Sequence, residues 1–147
     1  MNSIEVYKMD LLKYNNNLCL KPIGFNNIGY TCYYNSLLQG LLSCTSFCEN
    51  LLKNEKEYMK NPMCHILINI IKKIKFNKLQ DINQFGPFSW KVMIQEIVKK
   101  SKDMAQFAVG QQDVVEGLNL LLQSIEEFED IQNLFLHRRE NKLYCPD

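Results

Sequence analysis

The sequence predicts a mainly α-helical domain with the beginning of a β-hairpin at its C-terminal end. Three observations carry this. Apolar residues recur at helical spacing in five successive segments. Pro62 and Pro87 fall between those segments rather than inside them. From Leu134 the pattern changes to LFLH, a polar RREN and KLYC, which reads as two short strands around a turn. With 147 residues, 46% of them apolar and 11% aromatic, the chain is long enough to bury a core, as one domain or as part of a larger one.

Taken in order, residues 1–20 form a polar arm with the tract Asn15, Asn16, Asn17. The first helix follows from Tyr34, with Tyr34, Leu37, Leu38, Leu41 and Leu42 on one face. A second is expected from Ser46 to Lys60, burying Phe47, Leu51, Leu52 and Tyr58 and ending before Pro62. The third runs from Cys64 to Phe76 on Ile66, Leu67, Ile70, Ile71 and Ile74, with Lys72, Lys73 and Lys75 on a solvated face. NKLQDINQFGPF reads as a loop, broken by Gly86 and Pro87. Ser89 then caps a fourth helix carrying Trp90, Met93, Ile94, Ile97 and Val98. A fifth, from Gln112 to Phe128, buries Val114, Leu118, Leu121, Leu122 and Ile125, and Gly117 inside it costs about 1 kcal/mol relative to alanine. The division is thus a polar arm at 1–20, a helical block at 21–133 and the start of a β-structure at 134–147. A lone hairpin is marginal and leaves an open edge, so the sequence predicts a piece of a larger domain.

Charge excludes some functions. Seventeen basic residues oppose sixteen acidic ones, for a net charge near +1, and no basic run is long enough to track a phosphate backbone; nucleic acid is not an expected partner. Neither a signal-peptide core nor a membrane-length apolar stretch occurs, so the expected location is cytoplasmic or nuclear rather than secreted, with no membrane partner. The six cysteines are then expected reduced.

The stretch GFNNIGYTCYYNSLLQ, residues 24 to 39, places Cys32 between a glycine-asparagine loop and a helix. With Thr31 as cap, Cys32 falls in the first turn, where unpaired backbone N–H groups and the helix dipole favour a thiolate. Gly24 and Gly29 allow tight backbone around Asn26 and Asn27, which brings an amide donor toward the sulfur. The same pattern also describes any loop leading into an amphipathic helix with a small buried cysteine. Local chemistry leaves both readings open.

The stretch closely resembles the cysteine box of the ubiquitin-specific proteases, a family of cysteine deubiquitinases. QQDVVEGLNLLL, residues 111 to 122, is similar to the family's second box and follows in the same order. A weaker likeness joins Leu134 and Phe135 with Tyr144, Cys145 and Pro146 to the start of the family's fingers. The resemblance covers roughly residues 20 to 147. It implies the helical thumb of a papain-like fold, with the first strands of the fingers attached and the palm absent. It also implies an exposed apolar face where the palm belongs.

By that resemblance Cys32 is the nucleophile that attacks the carbonyl of ubiquitin's terminal glycine, and Asn27, five residues earlier, is the oxyanion donor, assisted by the Cys32 backbone N–H. Asp113 and Glu116 match the carboxylates that hold the ubiquitin tail; on their own they read as first-turn acids complementing a helix dipole. Ubiquitin or ubiquitinated proteins are the implied partners. Two positions depart from the family pattern: Tyr30 is large where a small residue is usual and narrows the cleft, and Gly117 replaces an aromatic or leucine and loosens its helix. The histidine box is expected beyond residue 147. His65, on an isoleucine-rich helix, and His137, in the hairpin turn, lack its flanking motif and read as surface or core residues. Without that histidine the leaving amine has no general acid, help typically worth ~10²–10⁴-fold. No cofactor or metal is expected: Cys145 is a lone remnant of a possible zinc site in the fingers, and Cys44 and Cys48 read as packing residues. The two leading expectations are a piece of a cysteine deubiquitinase and a non-catalytic remnant that binds ubiquitin or an intact protease. A helical interaction domain with a chance likeness is the third.

Overall fold

The computed structural model describes residues 20, 22–100, 102 and 112–136. Among them are seven α-helices and no strand: α1 Cys32–Ser43, α2 Thr45–Lys53, α3 Glu55–Tyr58, α4 Pro62–Lys75, α5 Phe85–Lys100, α6 Val114–Ser124 and α7 Glu129–Asn133. A 3-10 turn, Ile82–Gln84, leads into α5.

The centre of the bundle is α4. Asn61 caps it by accepting from the N–H groups of Met63 at 2.8 Å and Cys64 at 3.1 Å, and Pro62 takes the first helical position, where its missing N–H costs nothing. Met63, Cys64, Leu67, Ile68, Ile70 and Ile71 are fully buried, wider than the single face expected, because α4 packs on α2, α3 and α5. The Asn61 side chain also donates to the Ser124 carbonyl at 2.9 Å, which ties the start of α4 to the end of α6. The lysines near its end are only partly solvated. Lys72 pairs with Glu55, and Lys73 lies 5.3 Å from the centre of the Phe85 ring.

Several boundaries differ from the sequence expectation. The helix expected from Ser46 to Lys60 divides at Asn54, whose backbone leaves helical geometry and whose side-chain amide donates to the Asn50 carbonyl at 3.1 Å, competing with the helical ladder. Phe47, Leu51 and Tyr58 are buried as expected, and Leu52 is half-buried. Helix α5 begins at Phe85, so Gly86 and Pro87 lie in its first turn, and Ser89 donates to the Gly86 carbonyl at 2.9 Å from inside the helix instead of capping it. Proline is tolerated there because first-turn N–H groups have no helical partner anyway.

Helix α6 packs on α1 and α5. Leu120, Leu121 and Ile125 are buried, while Val114, expected in the core, is 42% exposed because it directly follows the capping residue at the open end of the helix. The helix ends at Ser124, short of the expected Phe128. Leu134 and Phe135 continue from α7 as a helical turn rather than a strand, and the Phe135 ring meets Phe47 edge-on with centroids 6.1 Å apart. Residues 137–147, with His137, Tyr144 and Cys145, lie outside the described residues, as do residues 1–19 and Gln111. No helix among the described residues is long and apolar enough to cross a membrane.

Candidate functional site

The loop before α1 is organised by one side chain. Asn27 Oδ1 accepts three hydrogen bonds, from the Gly29 N–H at 3.0 Å and from the N–H and Oγ1 of Thr31, each at 3.2 Å. Gly29 can turn its N–H inward because it holds φ +103°, a left-handed conformation that glycine tolerates best. The three donors also fix which way the amide faces. With Oδ1 directed into the loop, Nδ2 is the end that points away from it, and the opposite assignment would set an NH₂ group against two backbone N–H groups.

Thr31 occupies the capping position of α1, yet its side chain makes no capping bond. It is fully buried and faces the loop, donating to Asn27 Oδ1 and accepting from the Ile28 N–H at 3.3 Å. No cap hydroxyl therefore competes for the first-turn N–H groups of α1. Cys32 is the first residue of that helix and is solvent-exposed.

The residues on either side of Thr31 and Cys32 grip one tryptophan. Trp90 of α5 donates its indole N–H to the buried Tyr33 hydroxyl at 2.7 Å, and the Tyr30 ring meets the indole edge-on, centroids 5.4 Å apart. Burial raises the Tyr33 phenol above its ordinary value, partly offset by the Trp90 bond, so Tyr33 is a neutral acceptor at physiological pH. Tyr30, expected to narrow a cleft, is half-buried against the bundle. Trp90 reads in the sequence as an ordinary core residue, and periodicity carries no sign of this bond.

Asp113 caps α6, its Oδ1 accepting from the Val115 N–H at 2.7 Å; Glu116 follows in the first turn, and both carboxylates are exposed. Gly117 is buried. A Cβ there would lie 3.0 Å from both Cδ2 and Cε2 of Tyr33, so the missing side chain is what lets α6 close on α1. The two boxes picked from the sequence thus meet at Tyr33 and Gly117. His65 is exposed on α4, a helix that packs on α2, α3 and α5. Cys48 and Cys64 are buried, and burial pushes each thiol up to about 12. The Cys48 Sγ turns toward the carbonyls of Leu41 and Leu42. Among the described residues no group of histidine, cysteine and acidic side chains is arranged to hold a metal.

The chain belongs to the ubiquitin carboxyl-terminal hydrolase family, whose pattern it matches over residues 23–145. It is 32% identical over 107 residues to ubiquitin carboxyl-terminal hydrolase 4 of Arabidopsis thaliana, a match covering 71% of this chain and 28% of that protein. It is also 48% identical over 40 residues to human ubiquitin carboxyl-terminal hydrolase 37, covering 27% of this chain and 4% of that one, and 49% identical over 39 residues to the mouse protein of the same name. The chain therefore spans under a third of the curated relatives it matches. No solved structure matches significantly.

Proposed function

We propose that this chain is the nucleophile-bearing, tail-binding wall of a cysteine deubiquitinase. Cys32 Sγ attacks the carbonyl carbon of ubiquitin's C-terminal glycine, and the negative charge that develops on the carbonyl oxygen is met by Asn27 Nδ2 and the Cys32 backbone N–H. Collapse breaks the bond to the substrate lysine nitrogen, which leaves as the amine after gaining a proton, and forms a thioester that water then hydrolyses. Asp113 and Glu116 hold the basic tail of ubiquitin beside the Tyr33 and Gly117 contact. The imidazole that would accept the thiol proton and return one to the amine belongs, in this reading, to a part of the fold outside the described residues.

One observation supports the assignment most: with Oδ1 taken up by Gly29 and Thr31, the NH₂ group is the end of the Asn27 amide left to serve as a donor, in the loop that leads to exposed Cys32. Leaving groups test it. A ubiquitin C-terminal thioester expels a thiolate and needs no general acid, whereas a ubiquitin amide does. The expected result is Cys32-dependent acyl transfer from the thioester with negligible amide hydrolysis by this chain. Amide turnover would show that the chain supplies its own acid. Binding of ubiquitin with no acyl transfer at all would favour a non-catalytic ubiquitin-binding protein.

A further inference from the structure

Asn26, the neighbour of Asn27, is held at every polar atom it has except one. Its N–H donates to the Asn83 carbonyl at 2.8 Å, its own carbonyl accepts from Asn35 Nδ2 at 3.0 Å, and its Oδ1 accepts from Asn83 Nδ2 at 3.3 Å. Asn35 lies one turn into α1, but Asn83 lies in the 3-10 turn before α5, outside both boxes. The connection that delivers it uses two left-handed non-glycine residues, Asn77 at φ +54° and Asp81 at φ +56°. Asparagine and aspartate are among the non-glycine residues that enter this region most readily, so the connection turns sharply at both positions at little cost.

The same segment makes a second contact with the loop. A Cβ on Gly86 would come within 2.6 Å of the Phe25 Cβ and 2.8 Å of Asn35 Oδ1, so the start of α5 sits directly against Phe25 and the side chain that holds Asn26. Residues 83 to 86 therefore form a seat for residues 25 and 26, one peptide unit before Asn27. Alternatives for this segment are weaker: as a bare connection between α4 and α5 it would not need a two-point bond to an exposed asparagine.

We propose that Asn83 is a positioning residue for the oxyanion donor, acting through Asn26 to set where Asn27 Nδ2 stands relative to Cys32. The proposal rests on the deubiquitinase reading for its catalytic consequence, but the positioning itself is measurable without ubiquitin. Asn83→Ala keeps the backbone bond to the Asn26 N–H but removes the side-chain donor to Asn26 Oδ1, and it offers no acceptor to a rotated Asn26 amide. The loss of one net hydrogen bond corresponds to about a 3- to 10-fold effect.

The experiment compares the wild-type chain with Asn83→Ala in three measurements. These are the Asn27 side-chain amide resonances by NMR, the rate of Cys32 acylation by a ubiquitin C-terminal thioester, and the thermal midpoint. The proposal expects the Asn27 resonances to shift, acylation to slow about fivefold, and the midpoint to stay within a few degrees. Asn26→Ala should slow acylation similarly, with the double variant no slower than either. Unchanged Asn27 resonances in Asn83→Ala would overturn the proposal, as would a loss of acylation explained by a fall in the midpoint. If wild type accepts no ubiquitin while the resonances still shift, the positioning stands and the deubiquitinase reading fails.

Discussion

The Tyr33 ring packs against the bare Cα of Gly117, so the residue after Cys32 and the first turn of the helix bearing Asp113 and Glu116 share one contact. Glycine inside a helix looks like a defect of about 1 kcal/mol. Here it sets the spacing between α1 and α6. Tyr33 cannot swing away, because its hydroxyl is bonded to Trp90. Gly117→Ala should therefore lose stability despite the better helix former, with overpacking of ~1–3 kcal/mol outweighing the propensity gain. Urea unfolding would check this, and a more stable variant would mean that α6 can move outward at no cost.

The Tyr33 and Trp90 bond should show in a double-mutant cycle. Tyr33→Phe leaves the buried indole N–H without its acceptor, for an expected loss of ~1–2 kcal/mol. Trp90→Phe removes the donor and leaves a void as well, costing ~2–4 kcal/mol. Because the two changes remove one interaction, the double variant should lose clearly less than their sum in equilibrium unfolding.

Much of this architecture is legible in the sequence. The isoleucine spacing of α4 and the face of α1 from Tyr34 to Leu42 follow from local rules, whereas Asp113, read as a first-turn acid, proves to be the cap of α6. The split at Asn54 is not legible, since it depends on a side chain choosing between a local carbonyl and solvent, and the early start of α5 is not, since a proline marks a break as readily as a first turn. The supports of the candidate site are not legible in the sequence. Tyr33 and Trp90 are 57 residues apart, as are Asn26 and Asn83, and nothing in either local pattern announces the pairing. Gly117 reads as a weakness until the ring that occupies its space is seen.

The proposed oxyanion role of Asn27 can be separated from its structural one by a single substitution. Asn27→Asp keeps the oxygen that gathers Gly29 and Thr31 but replaces the outward NH₂ donor with a carboxylate oxygen. The loop should persist while acylation of Cys32 by a ubiquitin thioester falls by ~10²-fold or more, the usual consequence of losing one oxyanion donor. Circular dichroism and the thermal midpoint would confirm that the fold survives.

The cysteines should divide by burial. Alkylation near pH 8, followed by peptide mapping, should modify exposed Cys32 and Cys44 in the native chain and spare Cys48 and Cys64. The buried thiols also make stability depend on pH. Their folded-state values, about 12, lie above the ordinary 9.0, so the unfolded chain gives up these protons first. Their contribution is complete below about pH 9 and is lost progressively as the pH rises toward 12. Unfolding midpoints measured from pH 8 upward should fall in that window, and Cys48→Ala should flatten part of the fall.

Above all, the proposed function requires Cys32 to act as a nucleophile toward the C-terminus of ubiquitin. Its most direct measurement is the incubation of the chain with ubiquitin carrying a C-terminal electrophile, with the adduct mapped by mass spectrometry. One ubiquitin per chain, attached at Cys32 and abolished by Cys32→Ala, is the predicted result. No adduct under conditions where iodoacetamide modifies Cys32, or an adduct that persists in Cys32→Ala, would contradict it.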